Sequence, residues 1–281
     1  MYKIKDISNL TGVKTATIRI WEKRYNLIEP KRTDTNIRYY DDKDLIKLLN
    51  VLTLIQNSWK ISKIAELSDE NLKKELENLS KDIKTSTLVN NLIKALTTID
   101  EALFKETLDN AVEKQGMKRC YLEVIIPFFQ KVGVMWLAGS ISPIQEHFVS
   151  NIVRQKLIVA IDQLPSPDKD KPIDVILYCR ENELHELSLL FYNYCLIKKK
   201  LKTLYLGQNV PTDDLINISS LIQPKYGLVT SVVNSSDTDK IEQYFAKINK
   251  KTNCTIHVGG SALPEKLISK LSFVKAIEKL I

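Results

Sequence analysis

The chain has 281 residues, 41 of them Lys or Arg against 34 Asp or Glu, for a formal charge of +7 at pH 7. That length suits two or three units that each bury a core of their own. No apolar run approaches the roughly 20 residues needed to span a bilayer, and Met1-Tyr-Lys-Ile-Lys-Asp6 lacks the apolar core of a signal peptide, so a cytoplasmic chain without a membrane partner is expected. The basic excess permits a polyanionic partner without requiring one. Cys120, Cys179, Cys195 and Cys254 are widely spaced in apolar surroundings, which predicts reduced core residues rather than disulfides or a zinc site.

Residues 1–75 read as short amphipathic helices. Ile4, Ile7, Leu10 and Val13 recur at helical spacing, Thr11-Gly12-Val13 predicts a tight turn, and Thr15 to Tyr25 predicts a second helix with Ile18 and Trp21 inward. This is a helix-turn-helix pattern. Leu27 to Tyr40 has the Pro30, Asp34 and Asn36 of a β-turn wing, and Asp41-Asp42 opens a third helix through Leu45, Leu48, Leu49 and Leu52. Between Lys14 and Arg38 stand seven basic residues against three acidic ones. A helix placed in a major groove needs such flanking cations to neutralise phosphates, although a basic helix can also be simply a solvated face.

The order of these segments is more specific than their charge. Thr17-Ile-Arg-Ile-Trp-Glu-Lys-Arg-Tyr25, Leu27-Ile-Glu-Pro-Lys-Arg32, Ile37-Arg-Tyr-Tyr40 and the Asp-led helix resemble the MerR family of winged-helix regulators. The resemblance implies a double-stranded DNA operator as partner, with Thr15, Thr17, Arg19, Lys23 and Arg24 facing it and Arg38 and Tyr39 bracing the wing on the backbone.

Residues 76–87, in a polar and charged stretch, are expected to form a linker. From 88 to 165 the pattern is helical, with starts at Asp100, Met117 and Ser142 and breaks near Gly116 and Gly139, so a four-helix bundle is expected. Pro165-Ser-Pro-Asp-Lys-Asp-Lys-Pro172 ends it as a hinge. Residues 172–281 then alternate apolar runs at 173–179, 202–206, 226–233, 254–258 and 272–277 with helical segments, which predicts a flavodoxin-like Rossmann domain with a parallel sheet. No Gly-x-Gly-x-x-Gly or Walker loop follows the first run.

In its place stands Glu183-Leu-His185-Glu-Leu-Ser188. A histidine at the edge where a buried strand gives way to a helix is a candidate metal ligand, though a lone loop histidine is also an ordinary polar surface residue. Together with Gly207-Gln-Asn-Val-Pro211, Thr230-Ser231 and His257-Val-Gly259-Gly260, this turn resembles the cobalamin-binding Rossmann domain, whose pattern is Asp-x-His-x-x-Gly. By that resemblance His185 is the lower ligand of cobalt and Glu183 polarises its imidazole. The cofactor's nucleotide tail runs past Ser188, Gly207, Ser231, Gly259 and Gly260. Glu183 departs from the pattern by one methylene, and Ser188 puts a side chain where the family has glycine.

In the bundle, Trp136 by itself reads as core and Glu146-His147 as an exposed polar pair. Gly133-Val-Met-Trp136, nine residues and then Glu146-His147 is nevertheless similar to the bundle motif of the CarH and LitR group of light-responsive MerR-type repressors. There the tryptophan covers the upper corrin face and the Glu-His pair meets the adenosyl side of adenosylcobalamin, held between a helical cap and the Rossmann domain. Leu137 stands where characterised light-sensing members have a histidine able to capture cobalt.

The resemblance implies a DNA-binding repressor, not an enzyme, a homo-oligomer (dimer or tetramer) controlled by cobalamin through a change of oligomeric state, with a photoreceptor role left open by Leu137. The alternatives are a regulator of this architecture that acts through protein contacts without cobalamin, and a corrinoid protein of a methyltransferase system. No Ser/His/Asp, Cys/His or paired-carboxylate constellation has catalytic spacing.

Overall fold

The computed structural model describes residues 2–11, 13–32, 38–82, 87–137, 140–233, 238–260 and 265–281. Gly12, Asp34, Asn36 and Gly139 lie outside them, as does the side chain of Leu137. The chain divides into two units, residues 1–149 and 150–281.

In the first unit, α1 (Ile4–Thr11) and α2 (Thr15–Tyr25) form the helix-turn-helix. The Thr11 hydroxyl donates to the Ile7 carbonyl, and Asn26 closes α2 in the left-handed conformation at φ 48°. Strands β1 (Lys31–Arg32) and β2 (Arg38–Tyr39) pair antiparallel as the wing. Asp41 begins α3 (Asp42–Gln56) with a reciprocal capping box to Asp44. A short α4 (Ile61–Ile64) follows. Ile7, Ile18, Trp21, Tyr40, Leu48 and Leu54 bury the core.

Residues 76–82 of the stretch expected as a linker lie in a helix. Residues Asp69–Asp82 form α5, which packs on α3 and buries Leu72 and Leu76. Two leucines four residues apart share one face, and burying each fully stabilises by about 1.5–3 kcal/mol, which offsets the polar composition around them.

The helical region contains α6 (Thr87–Thr98), α7 (Glu101–Cys120), a π-helical turn at Tyr121–Ile125, α8 (Ile126–Leu137) and α9 (Pro143–Asp162). Asp100 caps α7 through the Leu103 N–H, and Gly116, at φ 77° and ψ 158°, interrupts it where a break is expected. The π turn precedes Pro127, whose missing N–H leaves a gap in the hydrogen-bond ladder. Gly116 thus divides α7 into two helical segments, and Met117 starts the second, as expected. Phe104 and Phe128 meet edge to face at 5.4 Å, tying α7 to α8. Helix α8 also packs on α3 and α5, with Val134 against the N-terminal core.

The second unit alternates β3 (Val175–Tyr178), α10 (Leu187–Lys198), β4 (Thr203–Gly207), α11 (Thr212–Ile222), β5 (Gly227–Ser231), α12 (Thr238–Thr252), β6 (Ile256–Gly259), α13 (Glu265–Lys270) and β7 (Val274–Ala276). The five strands are parallel in the order β4-β3-β5-β6-β7. β3 and β5 are buried at every position, as strands covered on both faces must be. The strand order reverses at β3, so the crevice beyond the carboxyl ends of β3 and β5 is where this architecture takes ligands. All four cysteines are free and buried, and burial alone pushes Cys120 up to about 11. Among the described residues no helix is long and apolar enough to cross a membrane.

Candidate functional site

The β3–α10 turn lies at that crevice. The Glu183 N–H donates to the Arg180 carbonyl at 2.9 Å, and the Glu183 carboxylate then turns onto His185. Its Oε1 accepts the His185 backbone N–H at 3.0 Å and lies 2.6 Å from the ring Nδ1. The carboxylate is buried while the imidazole is 60% exposed. Burial would raise the Glu183 carboxyl, but the hydrogen bonds from the His185 ring and N–H outweigh it and hold the group below its ordinary value.

The neighbouring loop clamps the turn. Asn209 N–H donates to the Glu183 carbonyl at 3.1 Å, Gln208 Nε2 donates to the Leu184 carbonyl at 2.7 Å, and Asn209 Oδ1 accepts the Asn182 N–H at 2.8 Å. Gly207, at φ +80°, starts this loop and accepts the Cys179 N–H, so its position in the pattern has a structural use. Burial, with the nearby Glu183 and Glu186, pushes the Cys179 thiol up to about 12.

Glu186 is a partner that sequence reasoning missed. It is buried next to His185, where it accepts Arg154 Nε at 2.6 Å and the Tyr205 hydroxyl at 2.8 Å. A buried carboxylate needs such partners to offset its desolvation. Arg154 is 32 residues away in the chain, so no local pattern announces the pair.

Ser188 and Ser231 meet through their hydroxyls at 2.8 Å. Tyr192, one helical turn beyond Ser188, brings its buried phenol against the same strand ends. A Cβ on Gly259 would stand 2.2 Å from the Tyr192 oxygen, and one on Gly260 would stand 2.4 Å from the Val232 carbonyl and 2.8 Å from Ser231 Oγ. Burial pushes the phenol up to about 12.

Two parts of a corrinoid site can thus be compared with the residues present. One imidazole oriented by a buried carboxylate suits a metal whose remaining positions are filled by a macrocycle. The His185–Glu183 pair fits that use, with Nε2 as the nitrogen that would meet the metal. The glycine cradle fits less well, because Tyr192 and Ser188 already stand against Ser231, Gly259 and Gly260.

In the first unit, Trp136 is half-buried near the end of α8, and Glu146 Oε2 lies 3.1 Å from His147 Nδ1 on α9, with the His147 side chain 72% exposed. Arg19, Lys23 and Arg24 are exposed on α2, whereas Thr15 and Thr17 are half-buried. Arg24 lies 5.5 Å from the Tyr25 ring centroid. Glu22 accepts the hydroxyl of the buried Tyr40 and lies 3.9 Å from Arg38 Nε, which ties α2 to the wing. Arg32 pairs directly opposite Arg38, and Tyr39 is half-buried opposite Lys31.

Comparison with known proteins places these units. The model of the MerR HTH family regulatory protein matches residues 2–71, and the model of the B12 binding domain matches residues 88–160. The HTH-type transcriptional repressor CarH of Myxococcus xanthus is 27% identical over 270 residues, covering 93% of this chain and 89% of CarH. CarA of the same organism, also a transcriptional repressor, is 24% identical over 79% of this chain and 73% of its own length. Among solved structures, the Methanosarcina barkeri monomethylamine corrinoid protein aligns over 70% of this chain and 92% of its own at 14% identity and a TM-score of 0.48. The chain thus carries a MerR HTH domain and a B12 binding domain, and is similar to the transcriptional repressor CarH over nearly its whole length.

Proposed function

We propose that the chain is a cytoplasmic repressor whose hold on a double-stranded DNA operator is set by cobalamin, in its adenosyl form, through a change between dimer and tetramer. The observation that carries this reading is the His185–Glu183 pair: a buried carboxylate fixes an exposed imidazole at the ligand-binding edge of a parallel sheet. Bound cobalamin would supply a cobalt centre with an exchangeable upper ligand. His185 would be its lower ligand, Glu183 would fix the ring tautomer, and Trp136, Glu146 and His147 would serve the upper face. Ser188, Gly207, Ser231, Gly259 and Gly260 would surround the tail.

On the DNA side, Arg19 and Lys23 lie four residues apart and share a face of α2, while Thr15, Thr17 and Arg24 flank it. Arg32 and Arg38 face each other across the wing, where a phosphate would meet two cations. The packing of α8 on α3 and α5 supports a link from Trp136 to the DNA-binding helices. The domain limits that go with this reading are 1–75, 88–165 and 172–281.

Incubation with adenosylcobalamin in darkness, followed by gel filtration and absorbance, tests the reading. Retained pigment and a larger assembly are expected, both lost in His185→Ala; a colourless eluate rejects cofactor binding. Repeating the run after illumination tests the photoreceptor role, for which Leu137 offers no second protein ligand. One observation favours a second reading, a regulator that acts through protein contacts without cobalamin: the chain's own Tyr192 fills the glycine cradle. DNA binding and assembly unchanged by both cofactor and His185→Ala would select it.

A further inference from the structure

An imidazole that takes the lower position on cobalt must displace the base that cobalamin carries there. That base hangs on a nucleotide tail from the same corrin face, so the unit that supplies the imidazole must also house the tail. Three residues beyond His185, Ser188 reaches Ser231 at the end of β5, which lies in register with Gly259 at the end of β6, and this is the side of the crevice open to a tail from His185. In this chain that crevice has an occupant. Ser188 and Tyr192 are four residues apart on α10 and point to the same strand ends. Ser188 joins Ser231 at 2.8 Å, and Tyr192 lies so close to Gly259 that a Cβ there would fall 2.2 Å from its oxygen and 2.8 Å from its Cζ. Tyr192 is buried, as is Ser231.

We propose that Tyr192 sets which corrinoids this unit admits, favouring one without a nucleotide tail over complete cobalamin. This rests on the reading of His185 as the cobalt ligand and adds the determinant of ligand size. A corrinoid lacking the tail needs only His185 and the exposed rim of the crevice, and leaves Tyr192 in place. A nucleotide with its benzimidazole is far larger than a phenol and cannot share the space, so complete cobalamin binds only after Tyr192 has left a packed, hydrogen-bonded position. Tyr192 acts by steric exclusion, and its hydroxyl is secondary.

The test uses the full chain with two probes of matched upper ligands, hydroxocobalamin and aquohydroxocobinamide, titrated by absorbance and checked for retention on gel filtration. The wild-type chain is expected to bind the cobinamide at least tenfold more tightly. Tyr192→Ala should erase or invert that preference, and Tyr192→Phe, which keeps the ring, should preserve it. Tyr192→Val, which keeps an apolar side chain in the core, gives the same readout if the alanine variant does not fold. Equal wild-type affinity for the two probes, or a preference that Tyr192→Ala and Tyr192→Val leave unchanged, overturns this inference and leaves cobalamin binding standing. If neither probe is retained by the wild type or by any variant, both the inference and the reading beneath it fall.

Discussion

The phenol of Tyr192 stands where a side chain at position 259 would begin, so Gly259 is required by the chain's own packing before any ligand is considered. A methyl group on Gly259 would also fall 2.5 Å from Ile277 Cγ2, leaving no direction for an easy shift. Gly259→Ala is expected to destabilise the second unit by about 1–3 kcal/mol, the usual cost of overpacking. Tyr192→Phe removes the closest atom, so the two substitutions should be non-additive, with the double variant recovering more than about 0.5 kcal/mol. Urea unfolding of the four proteins measures this; strict additivity would show that the contact does not govern the site.

Glu183 makes the second test specific to orientation rather than bulk. Its carboxylate accepts from both the His185 backbone and the ring at 3.0 and 2.6 Å, whereas a glutamine amide can present an N–H to Nδ1 and so stabilise the wrong tautomer. Glu183→Gln should keep the fold and lower corrinoid affinity by about 10–100-fold, the range found when a partner behind a metal-bound histidine is lost. Absorbance titration of the variant beside the wild type reads the change. Undiminished affinity would remove Glu183 from the site.

The elements were largely legible because their signals are local. Helical periodicity marks α1 to α3, Asp100 caps α7, and apolar runs mark all five strands of the sheet. What stayed hidden needs either weak patterns or distant partners. Helix α5 offers Leu72 and Leu76 in a field of charge, which reads equally as a solvated segment until α3 covers it. Glu186 looks like a surface acid until Arg154 and Tyr205 arrive from other elements. Tyr192 sits in the apolar run Leu187–Leu196 and reads as ordinary core. Only the order of β3, β5 and β6 in the sheet brings Gly259 opposite it. The contact of His185 with Glu183 is legible because the two lie two residues apart.

His257 predicts a pH dependence unrelated to the cobalt ligand. Its Nε2 lies 3.0 Å from the Tyr226 carbonyl, so the neutral ring donates there, and Nδ1 is buried without a hydrogen-bond partner among the described residues. Burial lowers its pKa below 6.5, the Tyr226 bond opposes this, and Lys275 on β7 adds to the lowering. The folded state therefore binds fewer protons than the unfolded chain just below 6.5. The stabilisation is complete above that value and is lost as pH falls through it toward the folded value. Urea midpoints taken from pH 8 down to 5 should decline below 6.5 in the wild type and decline less in His257→Gln. Parallel profiles would show that another group is responsible.

The exposed cations of α2 make a prediction that needs no operator. Lys23 and Arg24 occupy the last turn of the helix, with Arg24 near the face of Tyr25 at 5.5 Å. If they neutralise phosphates, each releases about one counterion on binding, and removal of one should reduce the slope of log affinity against log salt by about 1. Fluorescence anisotropy with a short mixed-sequence duplex at several salt concentrations gives that slope. Lys23→Ala and Arg24→Ala should each weaken binding and flatten the slope. Lys198→Ala, in the second unit and itself placed over the Tyr194 ring at 5.8 Å, controls for the loss of one positive charge and should leave the slope unchanged. A similar loss in all three variants would mean that total charge, rather than the helix-turn-helix surface, attracts the duplex.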